Sequence, residues 1–257
     1  MDGSCIIKHF EYYSPLTDND KVLLDSLEKN AKTYAKNTTV WEQGSSSEYF
    51  YTVKKGWAFS HRLLEDGSRQ VLDLFVPGDI VGLREFAFKT RVSGLTVLSD
   101  AELCAFPKSR LTEVFAESLL LCNIFFTIAA RDQAILLERV VNLGRRSAIE
   151  KLAHFLVEIS QRLKKTNADI GNHTKLPLTQ PMLGDALGLS SVHVNRTFRE
   201  LKAQGLINPC NGHVELLDLA GLEELAHFDH TYLQEDITGM LEHARELQKA
   251  TDQRRQS

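Results

Sequence analysis

Residues 179–202, TQPMLGDALGLSSVHVNRTFRELK, restrict the possible folds more than any other stretch of the chain. Thr179 can cap a short helix, and Pro181 is tolerated in its first turn, where the amide has no intrahelical partner. Gly188 breaks that helix, and Ser190 caps a second one running to Lys202. Two helices joined this closely must cross. Gly184 is small where the backbones meet, Gly188 accepts a positive φ in the turn, and Val194 points back into the contact. Leu183, Leu187, Leu189, Phe198 and Leu201 fill the remaining core positions. The spacing predicts a helix, a tight turn and a second helix.

The outer face of the second helix carries Ser191, Val192, Asn195, Arg196 and Arg199. Arg forks onto guanine, Asn onto adenine, Ser serves either, and Val can touch a thymine methyl. These residues occupy the N-terminal half of the helix, the half that enters a major groove. The helix starts at Thr179 and Ser190 offer amides to phosphates. A helical pair at a protein interface, with Arg196 and Arg199 merely solvated, would share this pattern. The next segment favours DNA. Gly205-Leu206-Ile207 leads into Asn208-Pro209-Cys210-Asn211-Gly212-His213 and Val214-Glu215-Leu216, and Asn211-Gly212 is a hairpin turn. A hairpin directly after such a helix is the wing of a winged helix.

The formal charge of −4 argues against a generic polyanion binder, but its distribution is uneven. Residues 139–202 hold 11 Lys/Arg against 5 Asp/Glu, and residues 218–246 hold 8 acids against one base, Arg245. A basic middle followed by an acidic tail is an electrostatic footprint.

Residues 38–107 alternate short apolar or aromatic runs with Gly44, Gly56, Gly67, Gly78 and Gly82. Glu65-Asp66-Gly67-Ser68 and Pro77-Gly78-Asp79 are turns. Many short strands with evenly spaced turns predict a barrel or sandwich. Residues 15–30 predict a short helix capped by Thr17 or Asp18, with Val22, Leu23 and Leu27 on one side. Residues 118–143 predict a long helix that Gly144 ends. Leu121, Phe125, Ile128 and Ile135 follow a 3-and-4 spacing, whereas Ile124, Ala130, Leu137 and Val141 fall outside it. A helix apolar on more than one side must be covered on more than one side. Its own barrel can cover one face, and the same helix of a second copy the other. The expected dimer seam is Leu121, Phe125, Ile128 and Ile135, although Asp132 interrupts it. Burial in a single large core is the alternative. Ser147 and Glu150 then fit a capping box that starts a new helix, which makes residues 142–146 a hinge, and residues 164–175 a polar loop.

Together with these features, Gly56 before a strand, Pro77-Gly78-Asp79-Ile80-Val81-Gly82, Leu98-Ser99-Asp100-Ala101-Glu102-Leu103-Cys104, and Leu178-Thr179-Gln180 leading into Leu187-Gly188-Leu189-Ser190 carry a resemblance over roughly residues 10–220. The chain resembles the family of the cyclic-AMP receptor protein and the Fnr-type regulators. The tract Val192-His193-Val194-Asn195-Arg196-Thr197 is similar to that family's recognition helix. The resemblance implies an α+β fold with an N-terminal β-roll, a double-stranded β-helix of the cyclic-nucleotide-binding kind. A long dimerisation helix and a C-terminal winged helix-turn-helix follow. It also implies a homodimer acting on a palindromic operator and contacting RNA polymerase. The expected divisions are a sensor at 1–116, the dimerisation helix at 117–143, the DNA-binding domain at 144–232 and an extension at 233–257. The expected DNA contacts are Thr179, Gln180, Ser190, Ser191, Val192, His193, Asn195, Arg196 and Arg199.

The sensor departs from the cyclic-AMP pattern. Where the family has Gly-Glu, this chain has Gly82-Leu83, and where it has Arg-Ser, this chain has Val92-Ser93, with Arg91 displaced by one residue. The adenine-reading polar pair falls on Leu136-Leu137, which cannot hydrogen-bond a base. The expected effector pocket is Val81, Leu83, Arg84, Phe86, Ser93, Leu136 and Leu137. It suits an apolar small molecule or no ligand better than a nucleotide, while an anion grip by Arg84 and Arg91 stays open. Iron–sulfur sensing needs four thiolates with an N-terminal cluster, and only Cys5 lies there. His9, His61, Cys104 and Cys122 are the candidate haem ligands, none in a recognisable context, and no cofactor or metal is expected. Cys104 and Cys122 read as small core hydrophobes. Four cysteines without a CxxC pair suit a reducing cytoplasm. The most apolar run, residues 119–130, falls short of the roughly 20 residues needed to span a bilayer. An enzyme of the cupin kind would need clustered His and carboxylate ligands, and residues 38–107 hold one histidine, His61. In the tail, Met240, Leu241, Ala244 and Leu247 suggest a helix that either packs on the DNA-binding domain or frays.

Overall fold

The computed structural model describes residues 4–166 and 175–256, so residues 167–174 of the expected polar loop lie outside the described residues. Two short helices open the chain. Ser4 caps α1 (Cys5–Glu11), and a Thr17–Asp20 capping box starts α2 (Asp18–Asp25). Leu23 and Leu27 are buried, but Val22 points to solvent.

The barrel follows as β1 (Ala31–Tyr34), β2 (Thr39–Trp41), β3 (Tyr49–Lys55), β4 (Ala58–Leu63), β5 (Arg69–Phe75), β6 (Ile80–Val81), β7 (Gly94–Val97) and β8 (Ala101–Pro107). They form two antiparallel four-stranded sheets, ordered β1-β8-β3-β6 and β2-β7-β4-β5. Interleaving the chain between two sheets in this way is what makes a β-roll. Gly56 makes the β3–β4 turn possible: its φ is +73°, and a Cβ there would lie 2.2 Å from the Asp100 carbonyl oxygen. Gly67, at φ +81°, turns β4 into β5.

After α3 (Lys108–Glu117), the Ser118 hydroxyl caps α4 (Leu119–Arg145), accepting from the Leu121 amide at 3.2 Å. The helix runs through Gly144 instead of ending there. A glycine inside a helix costs only about 1 kcal/mol, and the chain breaks where the Ser147–Glu150 capping box begins α5 (Ala148–Thr166). Then come β9 (Lys175–Leu176), α6 (Gln180–Leu187), α7 (Ser191–Ala203), β10 (Ile207–Cys210), β11 (His213–Leu216) and α8 (Leu219–Ala226). Strands β10, β11 and β9 form a small antiparallel sheet.

The face of α4 expected to join two copies is buried within one. Leu121, Phe125, Ile128 and Ile135 are at most 2% exposed. The first three pack with Ile6 and Phe10 of α1 and Leu111 and Val114 of α3. Periodicity finds an apolar face but does not say which molecule covers it. The other face is open: Phe126, Ala130, Gln133, Leu137, Val140 and Gly144 follow one another at 4-3-4-3-4 spacing, and all are exposed.

Of the two placements considered for the tail, packing on the DNA-binding domain and fraying, neither describes it. After a 3-10 turn (Thr231–Leu233), α9 (Thr238–Gln256) lies along α4 on the sensor side. Leu241 and Ala244 are buried, and Arg245 donates to the Pro15 carbonyl at 2.7 Å. Met240 and Leu247 face solvent.

The winged helix is docked on the barrel. Its core residues Leu152, Leu156, Leu183 and Phe198 share one apolar cluster with Phe59, Val71 and Leu74 of the barrel. Arg69 at the start of β5 pairs with Asp185 of α6 at 2.7 Å, and Gln70 donates to the Ala186 carbonyl at 3.3 Å.

Candidate DNA-recognition face and sensor cavity

The crossing of α6 and α7 forms as its residues demand. Thr179 Oγ1 accepts from the Met182 amide at 3.4 Å. Gly188 closes α6 at φ +61°. A Cβ on Gly184 would lie 2.9 Å from the Leu189 carbonyl oxygen, so the turn leaves no room for a side chain there. Ser190 Oγ accepts from the His193 amide at 3.4 Å and lies 2.8 Å from His193 Nδ1, so the His193 ring folds back over the helix start. Val194, Thr197, Phe198 and Leu201 are buried, which fixes the rotation of α7.

That rotation turns Ser190, Ser191, Val192, His193, Asn195, Arg196 and Arg199 outward together, all exposed, while Thr179 and Gln180 are half-buried at the start of α6. Val192 is 74% exposed, which is costly for an isolated aliphatic side chain and useful against a thymine methyl. In this state Asn195 donates to the Ser191 carbonyl at 3.0 Å, and Arg196 lies 3.7 Å from Glu200. Both partners are on exposed helix surface, where such contacts are weak and exchange readily with base edges. Gly212, at φ +74°, turns β10 into β11 and supplies the wing beside α7.

A cavity of about 260 Å³ lies between the barrel and α4. Of the residues expected in the effector pocket, Val81, Leu83, Arg84, Ser93 and Leu136 line this cavity. Phe86 and Leu137 do not: Phe86 stacks on Phe50 at the barrel surface, half-exposed, and Leu137 lies on the open stripe of α4. Leu136 and Leu137 are neighbours on a helix and so diverge by about 100°. Sequence reasoning missed Trp41, Ser60, Phe75, Ile80, Glu85, Asp132 and Gln133 as wall residues. Glu85 and Asp132 carried a signal, since each is an acid in an otherwise apolar register.

Near this cavity Arg84 is paired, whereas Arg91 keeps Nε and Nη1 without hydrogen-bond partners. Arg84 donates to Asp73 at 3.0 Å. Arg91 is not in the wall. It sits in the loop before β7, stacked 4.0 Å over the Trp41 ring, donating to the Tyr49 carbonyl and 3.9 Å from Glu85. Glu85 also accepts from Ser93 at 3.3 Å. Asp132 pairs with Arg131 at 3.1 Å, and burial raises its carboxyl above the usual carboxylate range. An incoming phosphate would therefore meet two carboxylates and a committed guanidinium.

The haem candidates are distributed over α1, β4, β8 and α4. His9 Nδ1 lies 2.8 Å from the Gly78 carbonyl, and its Nε2 is 3.1 Å from Arg131. Burial pushes the Cys104 thiol up to about 11, which keeps it protonated. His61 packs beside Gly94. Cys122 is half-buried on α4.

A barrel enclosing a cavity, a long helix with one bare apolar stripe, and a winged helix-turn-helix with an open Asn/Arg face define a class: the one-chain regulator that couples a sensor to DNA. Residues 31–118 match the model of the cyclic nucleotide-binding domain, and residues 150–225 match that of the Crp-like helix-turn-helix domain. The chain is 31% identical to the nitrogen fixation regulation protein FixK of Bradyrhizobium diazoefficiens, over 75% of this chain and 80% of that one. It is 30% identical to the transcriptional activatory protein AadR of Rhodopseudomonas palustris over the same shares. The structure of FixK2 from Bradyrhizobium japonicum superposes with a TM-score of 0.68 at 25% identity, covering 76% of this chain and 96% of that one. The chain belongs to the Crp/Fnr family and is a DNA-binding transcription regulator.

Proposed function

We propose that the protein works in the cytoplasm as a homodimer on a palindromic operator and engages RNA polymerase there, under a sensor not tuned to cyclic AMP. It has no catalytic role in this reading. One observation carries it: the Asn195/Arg196/Arg199 face of α7 and the apolar stripe of α4 are both exposed. Joined along that stripe, two copies present two recognition helices, which suit half-sites about 34 Å apart. The seam consists of Phe126, Ala130, Leu137 and Val140, not of Leu121, Phe125, Ile128 and Ile135. The effector, if one binds, is a small, largely apolar molecule held between Val81, Leu83, Arg84, Ser93 and Leu136. The pairing of Arg84 with Asp73, and the carboxylates of Glu85 and Asp132 in the wall, support this over a nucleotide phosphate.

Selecting bound duplexes from a random pool supplies the operator, and a gel shift on it supplies the test. Arg196→Ala and Arg199→Ala should each weaken specific binding by about 1–3 kcal/mol and relax base preference at one symmetric position. Unchanged affinity for both variants would remove α7 as the reading element.

A further inference from the structure

One buried carboxylate joins three parts of the molecule. Asp73, in the middle of β5, is 1% exposed. Its Oδ2 accepts from Arg84 in the cavity wall at 3.0 Å. Its Oδ1 lies 3.1 Å from Arg162 of α5, in the DNA-binding domain, and 3.3 Å from Arg139 of α4. Burial alone would raise the Asp73 carboxyl, but Arg162, Arg139 and Arg84 outweigh it and hold the group ionised far below the usual range. The same arginines grip the strand itself: Arg162 donates to the Leu74 carbonyl at 2.7 Å and Arg139 to the Leu72 carbonyl. Glu158 of α5 accepts from Arg139 at 3.0 Å and completes the cluster.

Strand β5 carries this cluster at its centre and the α6 contacts, Arg69–Asp185 and Gln70–Ala186, at its start. A rearrangement at Asp73 is thus three or four residues along one strand from the helix pair that reads DNA. Arg84 is the member that can be disturbed from outside. Its side chain is 29% exposed and lines the cavity, whereas Arg162 is 3% exposed.

We propose that Asp73 relays the state of the sensor cavity to the DNA-binding domain, through Arg84 on one side and Arg162 with Arg139 on the other. An occupant of the cavity that displaces the Arg84 side chain from Asp73 by its volume leaves one carboxylate shared by two guanidiniums instead of three. The cluster then repacks around β5, and the hold of β5 on α6 loosens. This relay rests on the reading of the barrel as sensor, but its test needs neither effector nor DNA.

The test is hydrogen–deuterium exchange on the full-length chain. Arg84→Gln removes the charge that an occupant would divert, at a partly solvated position. The relay predicts roughly tenfold faster exchange of α6 amides, a coupling typical of residues in one ion network, with β3 and β8 unchanged. Arg84→Lys, which keeps the cation, should restore much of the protection. Arg69→Gln cuts the β5–α6 contact directly, so adding Arg84→Gln to it should bring little further change. Three outcomes each overturn the relay: α6 exchange unmoved by Arg84→Gln, acceleration spread evenly through the barrel, or additive effects in the double variant. Loss of DNA binding by the unmodified protein would instead count against the regulator reading and leave these measurements intact.

Discussion

Leu137→Asp separates the two apolar faces of α4. Leu137 is 64% exposed in the isolated chain and central in the open stripe. Fully burying a leucine side chain is worth about 2–3 kcal/mol, so covering the exposed share yields roughly 1.3–2 kcal/mol per copy. A twofold axis doubles each contact, so losing it costs a dimer about 3–4 kcal/mol. At 1.4 kcal/mol per tenfold, the dissociation constant should rise about 100- to 1,000-fold. Two aspartates facing across the seam add repulsion to that. Sedimentation across a concentration series measures the shift. Ile128→Ala is the counterpart. It should lower thermal stability by about 2–5 kcal/mol, through a cavity between α4 and α1, and leave the dimer constant nearly unmoved. A Leu137→Asp protein still dimeric at wild-type concentrations, or an Ile128→Ala protein folded but monomeric, would refute the assignment of faces.

Two further outcomes follow from single positions. His9 is fully buried between Gly78 and Arg131, and burial first, then the Arg131 charge, lowers its pKa from 6.5 to about 4. The unfolded chain therefore takes up a proton that the folded chain refuses between those values. The stability that His9 contributes is complete above pH 6.5 and falls by up to about 3 kcal/mol as pH drops through that window. Denaturant unfolding at pH 7 and 4.5 should show a shallower loss for His9→Gln, and an identical loss would disprove it. Gly56→Ala places a methyl 2.2 Å from a carbonyl oxygen in a positive-φ turn and should cost more than about 3 kcal/mol. Gly44→Ala, at φ +84° with open space around it, should cost only the backbone strain of about 1–2 kcal/mol. Equal melting temperatures for the two variants would contradict this.

What could be read beforehand was whatever depends on local spacing. Gly184, Gly188 and Val194 specify a helix crossing because each position has a steric duty of its own, and the glycine-punctuated runs specify short strands for the same reason. Two other features could not be read. α4 has two apolar faces, and nothing in 27 residues says that α1 and α3 rather than a second copy cover Leu121 and Phe125. The cavity chemistry depends on pairs far apart in sequence. Glu158 and Arg162 stand four residues apart on the inner face of α5, but their partner Asp73 lies 89 residues from Arg162. Arg84 looked available to an anion because no periodicity connects it to Asp73, 11 residues away on another element.

The composition of that cluster also argues for its role. Arg84, Arg139 and Arg162 meet Asp73, Asp79 and Glu158 at the junction of barrel, long helix and winged helix. For stability alone this is a poor use of buried space. Each ion carries a desolvation cost of several kcal/mol, and well-packed apolar residues of similar volume commonly hold a fold as well or better. The apolar contacts of Leu74 and Val71 with α5 and α6 already glue the domains together. What charges add is a steep, directional dependence on who is paired with whom. Removing one partner from a buried set costs more than removing a methyl group, so a small event at Arg84 becomes a large change at α5. An apolar junction would blunt that event, whereas an ionic one passes it on.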